Sequence, residues 1–263
     1  TMAKPVSAPK GDKTLFGRVT STTGEPIANV VVSDGEFCVQ TNEEGYLTDI
    51  VERTKIAIRD GKIMFTEDEG ETWTEKRILL KHDDDARNLM CPSLLRLPDG
   101  RIGLIYLRKS KNNINAVPFI AFSDDEGETF SAPIKIIDDD NNYFVVENDH
   151  AVVLRNGRII LPVNLHSDII NGAYEIIEHG KKCIFASDDN GKTWSEIAVR
   201  QDIPFSHRSE TGLQETCVYE QNDGLLRAFS RTDMAFQYEC FSEDNGKTWS
   251  EPEPNRFFSS PDS

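Results

Sequence analysis

Few residues in this chain have the type and company needed for chemistry. Glu215, in LQETCVYEQNDG, lies sixteen residues before Arg231, in FSRTDM. A carboxylate can act as a base, and a guanidinium presents a planar fork of donors suited to a carboxylate or another polar substituent. At this separation the two either meet a common ligand or simply tie neighbouring strands together. Asp149, in VENDHAVVL, has His150 beside it. An acid in a walled pocket can have its pKa raised enough to donate a proton, whereas the same residue at a turn only caps a strand. His166, in LPVNLHS, and Arg208, in SHRSETG, are further binding candidates, set against the plainer reading of a lone His as a satisfied structural residue. The five cysteines, Cys38, Cys91, Cys183, Cys217 and Cys240, contain no CxxC pair and are odd in number. They read as small core residues, with no metal site, disulfide framework or cofactor indicated.

The elements that must position these residues announce themselves as a repeat. One eight-residue phrase occurs four times: TEDEGETW from Thr66, SDDEGETF from Ser123, SDDNGKTW from Ser187 and SEDNGKTW from Ser242, at intervals of 57, 64 and 55 residues. Fixed-period self-similarity of this kind signals a repeat architecture. Each phrase has its own logic. The third-position acid (Asp68, Asp125, Asp189 or Asp244) can accept hydrogen bonds from backbone N–H groups a few residues on. The glycine supplies a positive φ, and the final aromatic (Trp73, Phe130, Trp194 or Trp249) buries against flanking strands. Upstream of each phrase stands a turn dipeptide, Asp60–Gly61, Asp99–Gly100, Asn156–Gly157 or Asp223–Gly224, between apolar runs such as LLRLPDGRIGLIYL and VVLRNGRIILPV. These are hairpin signals. With the following runs FIAFS, CIFAS and YECFS and a last short strand, they make about four strands per unit, which is a propeller blade. Helical periodicity is absent.

The phrase resembles the Asp-box of sialidases (neuraminidases) and related β-propellers. The resemblance covers residues 51–263 and implies an all-β fold, with about four blades of an expected six. In that family the boxes are structural hairpins away from the active site. The resemblance also implies glycosidase chemistry on terminal sugars of extracellular glycans. An Arg triad would hold the substrate carboxylate, an Asp would act as acid/base, and a Tyr nucleophile would be activated by Glu. Glu215 and Arg231 match the family's Glu and one triad Arg in separation, and both would face the mouth of the ring. The match departs at Thr216–Cys217, where relatives often show Pro–Gly. Met90, in Met90–Cys91–Pro92, stands where the first triad Arg is expected, with Arg87 or Arg108 within reach as substitutes. The loop SKNNINAVP lacks the usual acid, which leaves Asp149 as its replacement. Tyr238 is on an available strand, but the family pattern places the nucleophile in later blades, beyond Ser263. The expected assignment is therefore catalytic Glu215 and Asp149, with Arg231, Arg108, Arg208 and His166 on the substrate. The chain is expected to be a truncated propeller, an open arc or a smaller ring. A carbohydrate-binding propeller and a protein-interaction scaffold are the alternatives. The first would show exposed aromatics at the mouth and the second neither these nor convergent carboxylates.

Composition narrows the partners. A formal charge of −16 argues against nucleic acid, and an anionic ligand would need a local Arg cluster. No run approaches the ~18 apolar residues of a membrane helix. No signal peptide is visible, so an extracellular or periplasmic location rests on the family resemblance alone. Residues 1–13 read as a disordered lead or processed end. Residues 14–50 alternate short β-branched runs with turn signals at Gly24, Asp34–Gly35 and Asn42–Gly45. The phrases GRVTSTTGEPIANVVVSDG and TNEEGY resemble part of a carboxypeptidase-regulatory-like β-sandwich, too short to bury a core alone.

Overall fold

The computed structural model describes residue 25 and residues 31–33, 38–41, 47–48, 56–59, 62–66, 72–75, 77–80 and 84–260. The expected lead 1–13, the turns at Gly24, Asp34–Gly35, Asn42–Gly45 and Asp60–Gly61, and Asp68 of the first phrase lie outside these residues. The chain divides into two compact units, Thr1–Arg77 and Ile78–Ser263.

In the first unit, β1 (Val31–Ser33), β2 (Cys38–Thr41) and β3 (Leu47–Thr48) form one antiparallel sheet in chain order. A second hairpin pairs β4 (Ile56–Arg59) with β5 (Lys62–Phe65), from Ile56 opposite Phe65 to Arg59 opposite Lys62. Ile63 and Thr66 are buried. The first phrase closes where Phe65 and Thr74 exchange bonds: Thr74 N–H donates to the Phe65 carbonyl at 2.9 Å, and Phe65 N–H to Thr74 Oγ1 at 3.0 Å. The same exchange closes the second phrase, between Phe122 and Ser131, and the fourth, between Phe241 and Ser250. The short strand β6 (Arg77–Ile78) ends a sheet of order β4-β5-β6.

The second unit contains three antiparallel sheets. The first is β7 (Ala86–Arg96), β8 (Ile102–Ser110), β9 (Ala116–Ser123) and β10 (Ile134–Lys135), in chain order. In the second, β11 (Phe144–Val145) and β12 (Val152–Val153) share one edge of β13 (Ile159–Ile170), followed by β14 (Ala173–Ser187) and β15 (Ser195–Glu196). The third is β16 (Gln214–Glu220), β17 (Leu226–Arg231), β18 (Phe236–Ser242) and β19 (Glu253–Ser259). The only helical turn among the described residues is a 3-10 turn, Ser206–Arg208.

The turn dipeptides and the phrases behave as repeats at atomic level. In all three sheets the first hairpin closes alike: Gly100, Gly157 and Gly224 N–H donate to the carbonyls of Leu97, Leu154 and Gln221 at 2.9, 2.8 and 3.0 Å. Asp125, Asp189 and Asp244 each accept from the N–H of Thr129, Thr193 or Thr248 at 2.8, 2.8 and 2.9 Å, and from the same threonine's hydroxyl. The phrase serine hydroxyls donate to those carboxylates and accept from Gly127, Gly191 and Gly246 N–H. Gly191 and Gly246 have φ of 82° and 88°, which only glycine takes without steric cost.

The core lies between sheets. One cluster joins Leu95, Ile105 and Ile120 of the first sheet to Phe144, Leu161 and Phe185 of the second, and Trp194 packs on it. Another joins Ile160 and Ile184 to Val218 and Ala228 of the third, with Trp249 against it. Trp194 and Trp249 thus fill the seam with the preceding sheet, and their indole N–H groups are held by the Gly191 and Gly246 carbonyls at 2.8 and 2.9 Å; Trp73 of the first phrase, expected to bury, is 40% exposed. Arginines that follow the turn dipeptides fasten the other way. Arg101 and Arg158 donate to the phrase carbonyls of Asn190 and Asn245 in the next sheet. Among the described residues, no backbone ladder closes the sheets into a ring; consecutive sheets touch through single bridges, Ala116 to Tyr143 and Gly180 to Gly212.

Candidate functional site

The first strand of each sheet in the second unit breaks at a corresponding place. On β7, Met90 pairs with Leu107 and Ser93 with Ile105, so Cys91 and Pro92 oppose one residue. On β16, Gln214 pairs with Arg231 and Cys217 with Phe229, so Glu215 and Thr216 oppose one residue. In the second sheet the break is wider, with residues 146–151 standing between β11 and β12 opposite residues 161–163. One non-glycine residue at each break has left-handed backbone: Cys91 at φ 55°, Asp149 at 55° and Glu215 at 48°. Such conformations cost on the order of 1–3 kcal/mol each and collect where side chains must be aimed.

These breaks bring a cluster together. Glu215 Oε2 lies 3.1 Å from Arg231 Nε, and Arg231 Nη2 also donates to Gln214 Oε1. The Nε contact is an ion pair without hydrogen-bond alignment. Glu147 is half-buried beside both. Loss of solvent pushes its carboxyl above the ordinary range, the Glu215 charge adds to that, and Arg231 opposes it. His150 Nδ1–H donates to the Thr216 carbonyl, 3.0 Å away. Burial holds its pKa below the usual histidine value, although that bond and the Glu215 and Asp149 charges pull the other way. Cys91 is pushed up to about 11 by burial and by Glu147, so it is a neutral thiol. Glu147, His150, Glu215 and Arg231 therefore share one electrostatic neighbourhood.

Buried polar contacts hold the breaks in place. Asn164 Nδ2 donates to the Leu213 carbonyl at 2.8 Å and to Thr216 Oγ1 at 3.0 Å, and its Oδ1 accepts from Thr216 N–H at 3.1 Å. Thr216 Oγ1 also shares a hydrogen bond with Ser230 Oγ at 2.8 Å. Proline at 216 would lack the N–H that Asn164 uses, which gives the departure from Pro–Gly a physical partner. On the other flank, Ser93 Oγ donates to the Glu147 carbonyl and Leu94 N–H to Asp149 Oδ1, both at 3.4 Å.

Of the sequence-derived candidates, Glu215, Arg231 and Asp149 with its neighbour His150 fall on the cluster. Asp149 is exposed and its carboxylate is turned to the Leu94 amide. His166 sits where the β13–β14 register shifts, its Nε2 2.9 Å from where a Cβ on Gly180 would stand. Burial lowers its pKa, and backbone bonds at Ile177 and Glu178 oppose this, so its surroundings are those of a packed structural ring. Arg208 is exposed in the 3-10 turn, 5.9 Å from the Phe205 ring centre. Arg108 is half-buried on β8, in register with Leu89 and Val117. Met90 is exposed at the β7 break, and Tyr238 is buried against Ile203 and Leu213. Sequence reasoning missed Glu147. Its signal was the second carboxylate in VENDHA, two positions before Asp149. Among the described residues no group of His, Cys, Asp and Glu could hold a metal ion, and Cys91, Cys183, Cys217 and Cys240 are free thiols.

Comparison with known proteins follows the same lines. Solved structures similar to this chain include a protein of unknown function from Dyadobacter fermentans, 21% identical with a TM-score of 0.55, which covers 75% of this chain and 58% of its own. The Hadza microbial sialidase Hz136 is 20% identical with a TM-score of 0.57, over 74% of this chain and 40% of its own. An intramolecular trans-sialidase from Ruminococcus gnavus, in complex with oseltamivir carboxylate, is 15% identical with a TM-score of 0.55, over 75% and 64%. This chain thus spans roughly half the length of these structures, which share its sialidase-like β-propeller fold. The BNR repeat-like domain profile matches residues 54–263 and leaves the preceding β segment, with its carboxypeptidase-regulatory-like phrases, outside the match. Repeated phrases, blade-like sheets and profile agree: the chain belongs to the BNR repeat-like domain family.

Proposed function

We propose that the chain carries a sialidase-like glycoside hydrolase site acting on terminal sugars of glycans outside the cell. The observation that supports this reading is the meeting of Glu147, Glu215 and Arg231 at breaks of neighbouring first strands. Two carboxyls with opposed surroundings are what acid/base work on a glycosidic bond needs. Glu215, about half exposed and paired with Arg231, activates a nucleophile or water. Glu147, desolvated and beside that charge, holds its proton to higher pH and donates it to the leaving oxygen. Asp149, two residues on, is the second candidate donor. Arg231 orients Glu215 and a polar substituent of the sugar.

A panel of aryl glycosides, covering neutral and acidic terminal sugars, tests the reading. Turnover of at least one is expected, lost in Glu215→Gln and in either Glu147→Gln or Asp149→Asn. A standard sialoside is expected to be turned over little or not at all. Turnover untouched by Glu215→Gln would overturn the site assignment.

A further inference from the structure

We infer that this cluster selects an uncharged, polyhydroxylated sugar and rejects its carboxylated counterpart, because three carboxyl groups, Glu147, Asp149 and Glu215, stand at adjacent breaks and the Arg231 guanidinium beside them is already engaged. The inference rests on the glycosidase reading of the same site and names its substrate class.

Charge carries the argument. Glu147, Asp149 and Glu215 stand on two adjacent breaks, and the cation that Glu147 senses is Arg231. That guanidinium is not waiting for a ligand carboxylate. Its Nε faces Glu215 Oε2 at 3.1 Å and its Nη2 donates to Gln214 Oε1. A ligand carboxylate would have to displace Glu215 from Arg231, leaving two like charges where one was paired. Burial and the Glu215 charge already make the Glu147 carboxyl resist ionisation, and a ligand carboxylate would meet the same two costs. His150 supplies no compensating charge near neutral pH, since burial lowers its pKa against the opposing pull of the Thr216 bond and of the Glu215 and Asp149 charges. The formal charge of −16 adds a long-range term of the same sign.

The same groups suit a neutral sugar. Ionised carboxylates only accept hydrogen bonds, and sugar hydroxyls are donors. On the first sheet the corresponding break presents the exposed thioether of Met90 and the neutral thiol of Cys91. A soft, uncharged surface of that kind fits the C–H face of a pyranose and offers nothing to a carboxylate. Rejection by unpaired like charge is a specificity device in its own right.

The test uses matched pairs that differ only in a carboxylate: methyl galactoside against methyl galacturonoside, and methyl glucoside against methyl glucuronoside. Binding to the full chain is followed by calorimetry or saturation-transfer NMR. The neutral member of at least one pair should bind about tenfold or more tighter. Glu215→Gln should narrow that gap by freeing Arg231 for the acidic member, and Asp149→Asn should do so independently if Glu215→Gln misfolds. Circular dichroism checks both variants. Equal or tighter binding of the acidic members, or a gap that neither variant moves, overturns this inference and leaves the glycosidase reading standing. Failure of every sugar to bind, together with no turnover across the glycoside panel, sinks that reading and this inference with it.

Discussion

Replacing Asn164 with Ala should loosen the candidate site and the seam between the second and third sheets at once. Asn164 is 2% exposed and makes three hydrogen bonds, two to Thr216 and one to the Leu213 carbonyl. Alanine strands the Thr216 N–H and the Leu213 carbonyl in a water-poor place. Each buried unsatisfied group costs about 1–3 kcal/mol, while Thr216 Oγ1 keeps Ser230 and adds little. The expected loss is therefore about 2–6 kcal/mol, a large share of the 5–15 kcal/mol typical of a whole domain. Urea denaturation followed by tryptophan fluorescence reads it as a lower midpoint at unchanged slope. Asn164→Asp is the sharper control. It keeps an acceptor for Thr216 N–H but faces the Leu213 carbonyl with a second acceptor, and should be no milder than Ala. A loss below about 1 kcal/mol in Asn164→Ala, within the scatter of unremarkable substitutions, would refute the reasoning. So would a harmful Ala beside a harmless Asp.

The seam tryptophans should also be costly to remove. Trp249→Ala forfeits packing on the Ile160–Val218 cluster and a cation contact with Lys182 at 4.3 Å, so about 3–5 kcal/mol is expected by denaturation, with Trp194→Ala similar. An unmoved midpoint would contradict the seam. At acid pH the phrases should give way. Asp125 is held down to about 2 by Thr129 and Ser123; in Asp244 burial pushes up but is outweighed by bonds from Thr248, Ser242 and Lys247, again to about 2. The stability they contribute is thus present above the unfolded value of about 3.9 and lost as pH falls through about 2. Asp244→Asn should flatten that dependence in an acid titration, and an unchanged profile counts against it. If glycoside turnover is found, its alkaline limb should fall as pH rises through the elevated pKa of Glu147, and the residual turnover of Glu147→Gln should lack the limb; full turnover with the limb intact in that variant assigns the donor elsewhere.

The repeat was legible because its physics is local. A serine, an aspartate, a glycine and a threonine within seven residues satisfy one another, as at Ser187, Asp189, Gly191 and Thr193. The Glu215–Arg231 pair was legible as a separation, since one hairpin sets Arg231 opposite Gln214 and within reach of Glu215 in the adjoining bulge. Glu147 was hidden because strand alternation fails there: six residues, 146–151, stand opposite three, and no period tells which carboxyl turns inward. Strand position alone shows neither the register shift at His166 nor the close approach of Gly180 to its ring. The use of Thr216 N–H by Asn164 joins residues 52 apart, beyond any local pattern.

The breaks at Cys91, Asp149 and Glu215 have a bearing on how such a protein changes over time. Each is a socket in a separate sheet, held from behind by hydrogen bonds that involve the backbone or neighbouring side chains more than the socketed residue itself. One substitution per sheet can therefore exchange a thiol for a carboxylate, or an acid for a cation, while the phrases go on holding the sheets together. A lineage built this way can explore new ligands one blade at a time and keep its scaffold throughout. The mixture of thiol, aspartate and glutamate at three corresponding sockets is what such piecemeal change would leave behind.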